Sequence, residues 1–138
     1  MSTQKIHVST KIQRDIQTIW KAWTQPEHVI HWNFASDTWH CPKASNDLQV
    51  GGKFSYTMAS KDGEMSFDFE GVYNEVIPEQ KIAYAMSDGR QVEIHFTKEA
   101  DGILVEEIFD PEQMNPLDLQ QAGWQAILNQ FTKYTEGL

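Results

Sequence analysis

From Gly52 to Asp110 the hydrophobic residues keep a period of two, and no other feature narrows the fold of this chain so far. Phe54, Tyr56 and Met58 alternate with Lys53, Ser55 and Thr57; Met65, Phe67, Phe69, Gly71 and Tyr73 alternate with Ser66, Asp68 and Glu70. Ile82, Tyr84 and Met86 follow, then Val92, Ile94 and Phe96 set against Gln91, Glu93 and His95. A strand turns successive side chains to opposite faces, so the pattern predicts strands with one apolar face each. Asp62-Gly63, Asp88-Gly89 and Asp101-Gly102 punctuate the runs. Asp-Gly supplies the positive φ angles of tight hairpin turns, which predicts an antiparallel meander. Gly71 inside a strand predicts a bulge or bend that curves the sheet.

A one-sided sheet needs a cover, and the C-terminal segment supplies one. Asn115-Pro116 reads as a cap with proline at the first helical position, and Trp124, Ile127, Leu128, Phe131 and Tyr134 mark one helical stripe ended by Gly137. About 20 helical residues would span roughly 30 Å, the width of a small domain. The helix and the sheet can bury only each other. At the other end, Lys5 to Ile12 alternates as a half-buried strand, and Asp15 caps a helix carrying Ile16, Ile19, Trp20 and Trp23. Thr24-Gln25-Pro26-Glu27 announces a second short helix, with Thr24 as cap, Pro26 in the first turn and Glu27 where a capping box needs its acid. Ser36 to Gly52 reads as a turn-rich stretch, too aromatic for a disordered connector. The expected fold class is therefore α+β: a curved antiparallel sheet wrapped around a long C-terminal helix, with two short helices after the first strand. The 138 residues fit a single domain, 1–138, able to bury a core without staples.

Eleven Lys and Arg stand against 20 Asp and Glu, a formal charge of −9. Such a surface repels phosphate backbones and anionic membranes, so neither nucleic acid nor membrane is an expected partner. An apolar ligand inside the domain, or a basic partner outside it, fits the charge. Cys41 is the single cysteine and can form no intrachain disulfide, which suits a reducing compartment. The opening MSTQKIHVST has no basic start followed by an apolar run, and no stretch approaches the roughly 18 apolar residues of a membrane span. The cytoplasm is the expected location.

Several of these segments resemble a known family. Ile19-Trp20-Lys21-Ala22-Trp23-Thr24, with Pro26-Glu27-His28 and Trp32 after it, looks like the opening of the Aha-type domains. These are similar to the activator of the heat-shock protein 90 ATPase and belong to the START-like, polyketide-cyclase-like (SRPBCC) superfamily. Val50-Gly51-Gly52-Lys53-Phe54, Phe69-Glu70-Gly71-Val72-Tyr73 and Gly123-Trp124-Gln125-Ala126-Ile127-Leu128 fit the same family in the same order. Trp32-Asn33-Phe34-Ala35-Ser36, Trp39-His40-Cys41-Pro42 and Asn115-Pro116 look like a bacterial subgroup of it. The resemblance spans nearly the whole chain and implies the helix-grip fold, whose sheet and C-terminal helix enclose a cavity. It implies no single activity, because the superfamily includes lipid carriers, hormone receptors, cyclases and stress proteins. The eukaryotic activator carries a separate N-terminal domain needed for full chaperone stimulation. A chain of this length has no room for it, which argues against chaperone activation.

Among candidate chemical groups, Glu106-Glu107 stands out. Period two puts Val105, Glu107 and Phe109 on one face and Leu104, Glu106 and Ile108 on the other, so one glutamate must accompany the core face. A carboxyl in apolar surroundings has a raised pKa and can serve as a general acid, a general base or a polar anchor. The plainer alternative is a glutamate near a sheet edge that reaches water or a lysine. Glu107 is the expected inward residue, because Phe109 shares its face. His28, His31, His40 and Cys41 lack any Cys-x-x-Cys or His-Glu-x-x-His pattern, and no metal site is expected. Cys41 as a nucleophile would need a base and an orienting group; a buried thiol is the simpler expectation. No Gly-x-Ser-x-Gly elbow or phosphate loop is present. No catalytic residue and no cofactor are expected.

Trp32, Phe34 and Trp39 fall in the turn-rich segment, where apolar bulk is unexpected. In a helix-grip domain that segment lies near the cavity mouth, so these rings could line or gate a pocket, or else plug one end of the core. With Phe54, Phe67, Phe69, Tyr84, Trp124 and Phe131, and with Glu107 as polar anchor, they are the candidate ligand-binding residues. The expected function is non-enzymatic binding of an apolar or aromatic small molecule between sheet and helix. The alternatives are a cyclase-like enzyme using a cavity carboxylate and an acidic protein-interaction or co-chaperone-like module. A monomer or a homodimer is expected.

Overall fold

Alternation and turn chemistry produce seven strands among the described residues, and their pairing decides where each apolar face points. The computed structural model describes residues 4–138; of the opening decapeptide read for a leader, residues 1–3 lie outside the described residues. In chain order the elements are β1 (Ile6–Ile12), α1 (Ile16–Thr24), α2 (Pro26–Val29), β2 (Trp39–Asn46), β3 (Lys53–Ser60), β4 (Ser66–Ile77), β5 (Lys81–Met86), β6 (Gln91–Glu99), β7 (Gly102–Phe109) and α3 (Leu117–Glu136). The strands form one antiparallel sheet in the order β1-β7-β6-β5-β4-β3-β2, curled into a half-barrel. Strands β2 to β7 run as a meander, and β1 adds to its last member, so β1 and β2 are the edges. No helix among the described residues is long and apolar enough to cross a membrane.

Directly opposed residues of antiparallel strands point to the same face. One such row runs Val8, Glu107, Ile94, Ile82; the next runs Ile6, Phe109, Val92, Tyr84, Tyr73. These rows line the concave side, and α3 lies across it with Leu128, Phe131 and Thr135 buried. Polar contacts fix the helix to the edge strand. The hydroxyls of Thr10 and Thr132 meet at 2.7 Å, and Gln125 Nε2 donates to the Ser9 carbonyl at 3.0 Å. Helix α1 closes one end of the half-barrel. Asp15 caps it through the Thr18 amide, and its Trp20 and Trp23 rings pack edge-on against Phe96.

Five local expectations are corrected. The stretch from Ser36 to Gly52 holds a strand, β2, which pairs with β3. Its alternation breaks where the register shifts between His40 and Lys43, around Pro42, which lacks an amide proton and is tolerated because β2 is an edge. Thr24 does not cap α2. It is the last residue of α1, where its hydroxyl donates to the Trp20 carbonyl at 2.7 Å, and Gln25 occupies the N-cap without a side-chain bond. At the start of α3 the N-cap is Pro116, one place later than expected, while the Asn115 amide is tied to Glu112 Oε1 at 2.7 Å. Gly71 makes no bulge, since the register shift on β4 lies between Tyr73 and Glu75. A Cβ at Gly71 would sit 2.6 Å from Phe54 Cε2 and 2.9 Å from Tyr84 Cδ1, so the glycine is there to admit two rings. In the turns, Gly63, Gly89 and Gly102 have positive φ as expected, but their aspartates do not. Asp62 and Asp88 act through their carboxylates, which accept the amides of Glu64 and Arg90.

Candidate ligand cavity

Between the concave face and the first half of α3 the side chains leave a cavity of about 540 Å³. The Cβ-less Gly71 lets Phe54 and Tyr84 meet edge-to-face at 4.7 Å, and Phe69 reaches both Tyr84 and Trp124 at 6.3 and 5.9 Å. Trp124 in turn stacks on Phe109 at 3.8 Å. These rings, with Trp23, Trp32, Tyr56 and Met58, make the walls mostly aromatic. The mouth is bounded by the loop before α3. Gln120 holds that loop down: its Nε2 donates to the carbonyls of Asn115 and Glu112, and its Oε1 accepts the Glu112 amide at 2.9 Å.

The polar groups inside fall into two kinds. The Tyr73 hydroxyl donates to Asn46 Oδ1 at 2.6 Å, Asn46 Nδ2 donates to the Thr24 carbonyl at 2.7 Å, and the Tyr56 hydroxyl lies beside Tyr73. Burial still pushes the Tyr73 phenol up to about 12. Glu107 belongs to the other kind. It is 6% exposed, its carboxyl makes no hydrogen bond among the described residues, and burial alone pushes its pKa up to about 8. The Tyr84 phenol nearby is raised by its own burial first and by Glu107 second. Asn33, also buried, has an Nδ2 with no partner and lies beside the Cys41 thiol. The mate of Glu107 in the sequence pair, Glu106, sits on the outer face against His7 Nε2 at 3.0 Å.

Of the expected ligand-binding residues, Trp32, Phe54, Phe67, Phe69, Tyr84, Glu107 and Trp124 border the cavity. Phe67 does so from the rim, 51% exposed. Phe34, Trp39 and Phe131 do not border it. Trp39 lies on edge strand β2 with its ring 6.0 Å from that of Phe67, and Phe131 is spent in the core against Trp23 and Trp32 at 4.9 and 4.8 Å. Sequence reasoning passed over Trp23, Tyr56 and Met58, although period two had already placed the last two on the face of Phe54. It also missed Asn33 and Gln120, for which no periodic signal exists. His28 and His31 both lie against the Tyr134 ring, the first with Nδ1 2.6 Å from the phenol oxygen. No group of three or more His, Cys, Asp or Glu among the described residues could hold a metal ion. Burial raises the pKa of the Cys41 thiol.

A curled antiparallel sheet closed by a C-terminal helix over an apolar cavity defines a helix-grip domain. The chain belongs to the family described as activator of Hsp90 ATPase homolog 1-like protein, whose sequence model matches residues 13–136. An AHSA1-like protein from Aeromonas hydrophila, solved by NMR, is 40% identical, with 97% of this chain and 93% of that one aligned and a TM-score of 0.92. A solution structure from Cytophaga hutchinsonii is 49% identical over 98% of this chain and 92% of its own, with a TM-score of 0.81. A Chromobacterium violaceum protein shares the fold at 19% identity, with a TM-score of 0.85 over 96% of this chain and 98% of that one. Among proteins with curated descriptions nothing matches.

Proposed function

We propose that this protein binds an apolar or aromatic small molecule in the cavity between the sheet and α3, without transforming it. The observation that carries this reading is the cavity itself, about 540 Å³ walled mostly by aromatic rings around a buried carboxyl, that of Glu107, which makes no hydrogen bond among the described residues. Pockets of roughly 300–1,000 Å³ with apolar walls and few polar groups are the usual seats of small ligands. A core free to collapse would have filled this space, since interiors pack to the density of organic crystals.

The test is a thermal-shift screen against sterols, flavonoids, aromatic polyketides and fatty acids. A ligand at 100 times its Kd adds about 2.7 kcal/mol of stability, a rise of several degrees for a chain of this size. A selective, dose-dependent rise supports the cavity reading. A flat panel at saturating concentrations counts against it and favours a protein partner.

Glu107 supports a second reading, a cyclase-like enzyme. A carboxylic acid held neutral near pH 7 can donate a proton to a bound substrate. That reading requires turnover of a bound compound that Glu107→Gln abolishes. Binding without turnover leaves the first reading in place.

A further inference from the structure

Glu107 is surrounded on its own face by apolar residues: Val105 and Phe109 along β7, Val8 across on β1 and Ile94 across on β6. Tyr84 on β5 is the titratable group whose charge it influences. No group among the described residues neutralises this carboxyl, and such a group is costly to ionise unless an opposite charge reaches it.

The rest of the cavity boundary is acidic as well. Asp68, Glu70, Asp88 and Glu112 border it with Glu107, against one base, Arg90. Arg90 is already committed, its Nε donating to Asp88 at 2.8 Å. The chain as a whole carries −9. A ligand carboxylate would find no free cation among the described residues that line the cavity, whereas a positive charge would be drawn to the mouth and would find a partner inside.

We propose that the cavity takes an arylalkylamine, its ring system lying among Phe69, Tyr84 and Trp124 and its ammonium paired with the Glu107 carboxylate. This rests on the reading of the cavity as a binding site and names the chemistry of its occupant. Faces of tyrosine and tryptophan attract a cation, which adds to the ion pair where water is excluded. A neutral analogue of the same shape keeps the apolar contacts and loses the charge pairing. Because burial keeps the Glu107 carboxyl protonated near pH 7, seating the ammonium releases that proton.

The experiment is isothermal titration of the full chain at neutral pH with three ligands of one skeleton. These are 2-(1-naphthyl)ethylamine, the corresponding 2-(1-naphthyl)ethanol and 1-naphthylacetate. The expected result is an amine that binds at least tenfold more tightly than the alcohol, with the carboxylate weakest. Glu107→Gln should remove the amine's advantage, so that amine and alcohol bind the variant with similar affinity. An alcohol or carboxylate that binds as tightly as the amine overturns the proposed ligand class and leaves the cavity reading standing. If none of the three binds up to its solubility limit, the proposed ligand class is overturned, while the cavity reading stands or falls on the thermal-shift panel. The comparison of the three ligands on the unmodified chain decides the matter even if the variant fails to fold.

Discussion

The indole of Trp124 lies nearly flat on the ring of Phe109, centroids 3.8 Å apart and planes 17° from parallel. Phe109 is fully buried at the end of β7, two residues beyond Glu107, so this stack pins α3 to the strand that carries the cavity's carboxyl. Trp124 also borders the cavity and meets Phe69 edge-on. Truncating it removes a wall and a brace together. Trp124→Ala should destabilise the fold by about 2–4 kcal/mol, and Trp124→Phe by less than half of that, because a smaller ring can still stack. Urea denaturation followed by far-ultraviolet circular dichroism measures both. A Trp124→Ala variant as stable as the parent would mean that the stack holds nothing in place.

Gly71 should tolerate no side chain. A methyl group there would meet Phe54 at 2.6 Å and Tyr84 at 2.9 Å, both of them wall residues locked in an edge-to-face pair. Gly71→Ala must therefore force one ring off its rotamer, an overpacking cost of roughly 1–3 kcal/mol. Gly123→Ala is the control. It stands on α3 with open space around it, and alanine's helix propensity should make it neutral or stabilising by up to about 1 kcal/mol. Chemical denaturation of the two variants side by side should show a loss of stability for Gly71→Ala and none for Gly123→Ala if the packing argument is right.

What the chain disclosed about itself follows from which signals are periodic. The inward face of strand β7 was readable, because Val105, Glu107 and Phe109 share a face in period two, and the buried rows keep that parity. The extent of α3 was readable from one stripe of large residues. Strand β2 was not, since Pro42 and the shifted register at His40 and Lys43 erase its alternation. The cavity wall was legible where it is built from strand faces, as at Phe54 and Tyr84. It was illegible where the chain's path decides, as at Trp39 and Phe131, whose rings are as apolar as their neighbours but spent on other contacts. Asn33 and Gln120 matter through single hydrogen-bonding atoms in loop and helix-start contexts, and a lone amide carries no periodic mark.

Cys41 should be inert in the folded protein. It is 3% exposed, its Sγ–H donates to the Lys43 carbonyl at 3.5 Å, and burial raises its pKa, so little thiolate is present at neutral pH. A disulfide-exchange reagent such as Ellman's should react with it far more slowly than with free cysteine at pH 7.5, and at the free-thiol rate in concentrated guanidinium. Rapid native labelling would show that β2 opens readily at its edge. It would also revive the thiol as a reactive group.

Glu107 should make stability fall as pH rises. Its carboxyl ionises near 4.5 in an unfolded chain and at about 8 in the folded one. Between those values the folded state keeps a proton that the unfolded state has released, so raising the pH favours unfolding. The contribution is complete below about pH 4.5 and is lost as pH rises through about 8, a few kcal/mol at most at about 1.4 kcal/mol per pH unit. Tyr84 does not blur the window, because its own pKa is raised well above the ordinary phenol value. Asp15, Asp62, Asp88, Asp101 and Asp110 act in the opposite sense, since their hydrogen bonds and ion pairs lower their pKa values. What they contribute is present at neutral pH and is lost only as pH falls through their folded values, and their exposure keeps it small. Urea midpoints should therefore decline between about pH 5 and pH 8 in the parent and level off above that. In Glu107→Gln the decline should largely vanish, leaving the variant the more stable protein at the alkaline end. Parallel declines in the two proteins would assign the alkaline loss to another group and would mean that the Glu107 carboxylate is already solvated or paired inside the cavity.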